Sequence, residues 1–275
     1  MEKKKSIWEI LRIVIVVALL AVVLYEAVMI FFDQREYAVA GNEYEKITEQ
    51  YVKTTGESVT EADTSADSEG EEAEDTGEFI PYPDLDIDYA KLKEINPDFI
   101  GWLYFPAVDI SYPVVRENEI NEYLYKTFEG TNNRSGSIFM DVLSNREFKG
   151  FSDMLFGHNM KNGTMFGSMK KLYQTKDEDL LLDDPHIYIY NEDGVRIYRV
   201  FAYYTTTEGS YSYTEVTNED EYDDYISYIR RNTSYSIPND MNFDNYSPLL
   251  TLSTCSGQSG SGKRFVVHSV FMKKE

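Results

Sequence analysis

One thiol and three imidazoles hold most of the nucleophilic and acid–base chemistry open to this 275-residue chain. Cys255 is the only cysteine, so it has no intrachain disulfide partner. It is then a buried small hydrophobe, half of an intermolecular bridge, or a nucleophile. The strand-like run LLTLSTC ends on it and the flexible SGQSGSGK follows, which makes the thiol accessible and favours the third reading. An ordinary thiol titrates near pH ~8.5 and needs a base or a positive field to act at neutral pH.

Of the histidines, His268 lies inside RFVVHSVF and reads as a structural strand residue. His186 follows Asp184-Pro185 and reads as a turn or cap residue. His158, in LFGHNM, sits just past an apolar run and before a polar turn, where a general base belongs. Arg264 opens the last strand-like run. If the last two strands pair antiparallel, its guanidinium comes close to Cys255 and can steady an oxyanion; otherwise it is an ordinary strand-edge arginine. One cysteine and no ligand-like histidine spacing give no expectation of a metal site.

The elements that must position these residues are mostly short strands. IGWLYFPAV, ISYPVV, GSIFMD, DMLFGH, HIYIYN, VRIYRVFAYYTT, LLTLSTC and RFVVHSVFM are largely β-branched or aromatic and are separated by Asn, Gly and Asp turn signals. HIYIYNEDGVRIYRV predicts a hairpin around Asp193-Gly194. Many short strands with few helices predict a closed barrel or a sandwich. Helices are expected at 89–95, at 164–173 with Met165, Met169 and Leu172 on one face, and at 218–231. The last has Asn218 as cap, acids in its first turn, Arg230 and Arg231 in its last, and an apolar stripe of Tyr222, Tyr225, Ile226 and Ile229. Most of the 23 tyrosines fall in such runs, which favours packing over a carbohydrate-stacking surface.

The formal charge is −22, with a pI near 4.5, which argues against nucleic acid as a partner. Residues 52–78 hold ten acids against one lysine and no aromatic or leucine, so they are expected to be a disordered acidic linker. Before them, Ile13–Tyr25 is uninterruptedly apolar and the run continues past Glu26 to Phe32. That length suits a transmembrane anchor at 7–32, longer than the ~7–15 residues of a signal-peptide core. Lys3, Lys4 and Lys5 place a short tail, 1–6, in the cytoplasm and export the rest. A helical stalk at 33–51 and a catalytic domain at 79–275 complete the expected organisation.

From about residue 80 onward the chain resembles the sortases, and class B in particular. TLSTC at 251–255 followed by Arg264, LFGHN at 155–159, NPDFIGWL at 96–103, ISYPVV at 110–115 and GSIFMD at 136–141 occur in the family's order. The helix at 218–231 matches the one that sets class B apart. The resemblance implies a mainly β fold: a closed eight-stranded barrel with N-terminal helices and a long helix before the cysteine strand. It implies Cys255 as nucleophile, His158 as general acid/base, Arg264 as stabiliser of oxyanion and peptide, and Ser253 as a wall of the threonine pocket. The implied reaction needs no cofactor. An exported protein is cut after the threonine of a C-terminal Asn-Pro-x-Thr-Asn/Gly-type motif, held as a thioacyl-enzyme, and passed to an amine of cell-wall peptidoglycan precursor outside a Gram-positive cell. Three rivals stand beside it: a pilus-assembling sortase, a thiol peptidase without amine transfer, and an extracellular binding module with a structural Cys255.

Overall fold

The computed structural model describes residues 7–59, 80–174, 180–233, 235–256 and 260–275. The eight strand-like runs become the eight staves of one closed barrel. They are β3 (Phe99–Phe105), β4 (Ile110–Arg116), β5 (Ile138–Met140), β6 (Ser152–Phe156), β7 (His186–Asn191), β8 (Gly194–Thr207), β9 (Leu249–Cys255) and β10 (Lys263–Lys274). Around the barrel the order is β10-β8-β7-β3-β4-β5-β6-β9, and β9 closes on β10. The β4–β5 and β6–β9 pairs are parallel and the others antiparallel. The hairpin forms as expected, with Asn191 opposite Gly194.

Closure explains why β9 carries almost no polar alternation. Every residue from Leu249 to Thr254 is buried, one face inside the barrel and the other under a helix, and only Cys255 emerges. That helix, Glu219–Asn232, starts where the sequence places it: the Asn218 side chain accepts from the Glu221 N–H at 3.0 Å. Its stripe of Tyr222, Tyr225, Ile226 and Ile229 packs with Phe201, Leu249, Val266 and Val270 in a second apolar cluster outside the barrel. Tyr188, Tyr190, Tyr198, Tyr222 and Tyr225 are all fully buried, so packing accounts for them.

His268 sits in that outer cluster as a structural residue. Its Nδ1 and Nε2 lie 2.9 Å from Thr251 Oγ1 and 3.1 Å from Tyr204 Oη. Complete burial lowers its pKa from 6.5 to about 3. Below pH 6.5 the unfolded chain binds a proton here that the folded chain refuses. Stability from this group is full above pH 6.5 and falls with acidification by about 1.4 kcal/mol per pH unit. Asp153, raised to about 6 by burial, acts oppositely, since its folded form takes up a proton first. The expected result is a His268 imidazole still neutral at pH 5 by nitrogen-15 NMR; a protonated ring at that pH contradicts it.

Two expectations are corrected. Residues 164–173 are not one helix: a 3-10 turn at Phe166–Lys170 leads into a single α turn at Lys171–Gln174. Met165 has φ of 53°, which breaks the helix start, although Met165, Met169 and Leu172 are buried as expected. The linker does not begin at 52, because Val52–Val59 is a strand, β1, paired antiparallel with β2, Tyr82–Ile87. Averaging over 52–78 conceals it: Lys53 and Glu57 cancel, Val52, Thr54, Thr55 and Val59 are β-branched, and nine of the ten acids fall in 61–78. Residues 60–79 lie outside the described ones. The 33–51 stretch is helical and packs on the barrel. One helix, α1, runs from Ile7 to Tyr51, about 68 Å at 1.5 Å per residue. Its first half is exposed and apolar enough to cross a membrane. Its second half lays Ala40, Tyr44 and Ile47, a stripe at helical spacing, into the barrel's core cluster.

Candidate active site

The site lies across the ends of three adjacent strands, β6, β9 and β10. In the parallel β6–β9 ladder Phe156 stands opposite Ser253. Two residues further along each strand, His158 and Cys255 therefore leave the same end of neighbouring strands, which run about 4.8 Å apart. On the other side of β9 the antiparallel register pairs Cys255 directly with Arg264. The strand order thus brings His158, Cys255 and Arg264 to one end of three adjacent strands, although His158 lies far from the other two in sequence. Cys255 is exposed, as a nucleophile must be, and it is a free thiol.

His158 is held from several directions. Its Nε2 lies 2.6 Å from the Leu124 carbonyl. A carbonyl only accepts, so Nε2 carries the hydrogen and Nδ1 is the basic nitrogen of the neutral ring. The Tyr125 ring covers the imidazole at 5.7 Å and 32°. The His158 carbonyl accepts from the Phe166 N–H at 3.0 Å, and the Asn159 amide donates to the Cys255 carbonyl at 2.8 Å. Gly157 makes the approach possible: a Cβ there would lie 2.5 Å from Ile138 Cδ1 and 2.8 Å from the Phe166 ring. Burial lowers the His158 pKa below its ordinary value, and the bond to Leu124 opposes that only in part.

Arg264 is oriented by two contacts: one guanidinium nitrogen donates to the Lys263 carbonyl at 3.2 Å and the other to Glu208 at 2.9 Å. Ser253 is buried, and its hydroxyl lies 2.8 Å from that of Tyr213. Tyr213 stacks on Phe156 at 6.3 Å and 5° and is pushed up to about 12 by burial. His186 opens β7 opposite Arg199 rather than sitting in a turn, its Nδ1 2.9 Å from Asp184.

The structure thus gathers Cys255, His158 and Arg264, leaves His186 and His268 elsewhere, and puts Ser253 behind Tyr213. Leu124, Tyr125, Asn159, Glu208 and Tyr213 were not singled out by the sequence. Asn159 adjoins the histidine motif and Tyr213 lies in an aromatic loop cluster, so those two carried a signal; Leu124 contributes only a backbone oxygen and carried none. An accessible thiol between an imidazole and an oriented cation is an arrangement suited to acyl transfer.

The match to known proteins agrees. Residues 103–271 match the family model of the sortase domain. Sortase B of Listeria monocytogenes is 31% identical over 187 residues, covering 66% of this chain and 73% of that protein. Sortase B from Bacillus anthracis superposes with a TM-score of 0.64 at 26% identity, covering 87% of this chain and 99% of that one. The Staphylococcus aureus sortase B–substrate complex gives a TM-score of 0.60 at 28% identity, covering 67% and 84%. With its barrel, its site and its relatives in agreement, this chain belongs to the sortase family as a class B member, a cysteine transpeptidase of the kind that anchors proteins to the cell wall.

Proposed function

We propose that the chain cuts exported proteins after the threonine of an Asn-Pro-x-Thr-Asn/Gly-type C-terminal motif and transfers them to an amine of peptidoglycan precursor. The observation that carries this reading is the register that sets Cys255 between His158 and Arg264. In the first half-reaction the Cys255 sulfur attacks the threonine carbonyl carbon while its proton passes to His158. The carbonyl oxygen gathers negative charge facing Arg264. The C–N bond then breaks, and the proton held by His158 leaves on the departing amine. In the second half, the acceptor amine attacks the thioester and His158 takes its proton, so that cysteine returns as the leaving thiol. Tyr213 and Ser253 form one wall of the threonine site, with Ser253 acting through the tyrosine hydroxyl. No cofactor enters any step.

The first half of α1, residues 7–32, anchors the enzyme in the membrane, with residues 1–6 in the cytoplasm and the barrel outside. Residues 33–51 belong to the catalytic body. The barrel meets its substrates where exported chains and lipid-linked acceptors emerge.

The test uses the full chain in detergent micelles, a panel of Pro-x-Thr peptides, and triglycine as acceptor, read by mass spectrometry. A product cut after threonine and joined to triglycine is expected. Cleavage with no joining, at a rate indifferent to the amine, would replace transpeptidation by hydrolysis. Joining only to a lysine side-chain amine of a pilin subunit would redirect the reading to pilus assembly.

A further inference from the structure

The segment from Glu117 to Ser137, between β4 and β5, contains no regular element longer than isolated turns. It nevertheless supplies both direct restraints on the His158 ring, the Leu124 oxygen and the Tyr125 face. Besides its own turn bonds, it is tied to its surroundings on two sides. On one side the Tyr123 hydroxyl bonds to Asn96 at 3.1 Å and Asp98 at 2.8 Å. On the other side it is held by α1.

Four residues of α1 clasp it. Asp33 pairs with Arg134, the Glu36 carbonyl accepts from Asn133 at 3.0 Å, and Glu43 accepts from the Glu129 N–H at 2.9 Å. The fourth, Tyr44, reaches the interior. Its hydroxyl donates to the Gly136 carbonyl at 2.6 Å, accepts from the Phe128 N–H at 3.3 Å, and lies 3.3 Å from Ser137 Oγ. Gly136 and Ser137 in turn touch the segment's other limb. The Ser137 N–H donates to the Tyr123 carbonyl at 3.1 Å and its hydroxyl to the Lys126 carbonyl at 2.8 Å. Gly136, at φ of 56°, lies so close that a Cβ would stand 2.4 Å from the Leu124 oxygen, the same atom that receives the His158 N–H. Every link from the Tyr44 hydroxyl to the imidazole is therefore a direct contact.

We propose that Tyr44, on the second, barrel-packed half of α1, is a positioning residue for His158, acting through Gly136 and the Leu124 carbonyl. This deepens the acid/base reading of His158 and rests on it. The anchor helix is then a working part of the active site as well as a tether. Removing the Tyr44 hydroxyl leaves the Gly136 carbonyl and Phe128 N–H without their buried partner, which costs more than the bond alone. It frees the Leu124 limb to shift, and displacements of about an ångström at a proton-transfer group cost up to ~10²-fold in rate.

The test is Tyr44→Phe in the full chain in detergent micelles; the variant keeps the ring that packs edge-on to Tyr112. Tyr198→Phe serves as the matched loss of a buried hydroxyl, the one bonded to Phe148 on another part of the barrel. Nitrogen-15 histidine labelling follows His158 among only three imidazoles. Tyr125, Lys126, Arg134, Cys255 and Arg264 are titratable or charged groups on the elements around that ring, and all are retained in the variants. Tyr44→Phe is expected to lower kcat about tenfold with KM for the peptide within about twofold. It is also expected to raise the His158 midpoint towards the ordinary imidazole value as the ring rehydrates, while Tyr198→Phe moves neither. An unchanged midpoint in Tyr44→Phe overturns the proposal, whether kcat stays or falls alongside that of Tyr198→Phe. A shifted midpoint with full turnover upholds the positioning and instead overturns the acid/base role of His158.

Discussion

Replacing Cys255 by alanine is expected to abolish both cleavage and amine transfer, a loss of at least about 10⁴-fold in kcat/KM, on the scale seen when a covalent nucleophile is removed. The expectation is this large because Cys255 is the only thiol in the chain. Neither flanking strand offers a substitute: the positions alongside are occupied by an imidazole and a guanidinium. The fold should not notice, because the Cys255 side chain is exposed at the end of β9 and removing a surface sulfur there costs less than about 0.5 kcal/mol. Intact-mass spectrometry separates the cases. Wild type mixed with a sorting peptide and no amine should gain the mass of the acyl fragment, and Cys255→Ala should gain nothing at an unchanged melting temperature. Residual turnover above about one per cent in the variant would remove Cys255 from the mechanism, and with it the transpeptidase reading of the site.

The second large effect belongs to Arg264. Arg264→Ala should lower kcat/KM by about 10²–10³-fold, the usual consequence of deleting a donor aimed at a developing oxyanion. Arg264→Lys should recover only a small part of that loss. The reason lies in the geometry: two nitrogens of the planar fork are tied to the Lys263 carbonyl and to Glu208, which fixes the orientation of the guanidinium. An ammonium is a point charge on a flexible stem and cannot hold both anchors while presenting a third donor. The Glu208 carboxylate is 70% exposed, so losing that ion pair should cost under about 1 kcal/mol. Steady-state rates for the two variants, set against urea melts, therefore isolate catalysis from stability. A lysine variant with undiminished rate would show that charge alone suffices, and the oriented-fork account would fall.

Arg264 also shows how much of the site could be read before the fold. Its place at the start of a strand, and the strand ending at Cys255, were legible from β-branched runs bounded by Gly and Ser. A two-strand antiparallel pairing of neighbouring segments is a local event, and the sequence separation fixes the register within narrow limits. His158 was legible as a motif position, but its distance from Cys255 depends on a parallel β6–β9 pair nearly one hundred residues apart. No local pattern specifies which strand closes the barrel.

The least legible parts are those where an unpatterned backbone does the work. Leu124 acts through a carbonyl oxygen, so its side-chain type says nothing about its role. The 33–51 stretch read as a stalk because its amphipathic stripe is short and sits next to a far stronger apolar run; only the barrel surface shows what the stripe covers. The strand at Val52–Val59 was hidden by the acids that follow it, because composition averages over a window and pairing does not.

The sequence by itself determined the local terms: the eight strands, the capped helix at Glu219–Asn232, the apolar N-terminal helix, and the residue types able to do thiol acyl transfer. These rest on periodicity, caps and side-chain chemistry, which act over a few residues. The tertiary structure alone decided the non-local ones: the parallel closure that brings His158 towards Cys255, the Leu124 carbonyl that takes its Nε2 hydrogen, the burial that lowers its pKa, and the docking of Tyr44 behind it. Each depends on which surfaces lose water to which, and that is settled only when the chain has folded.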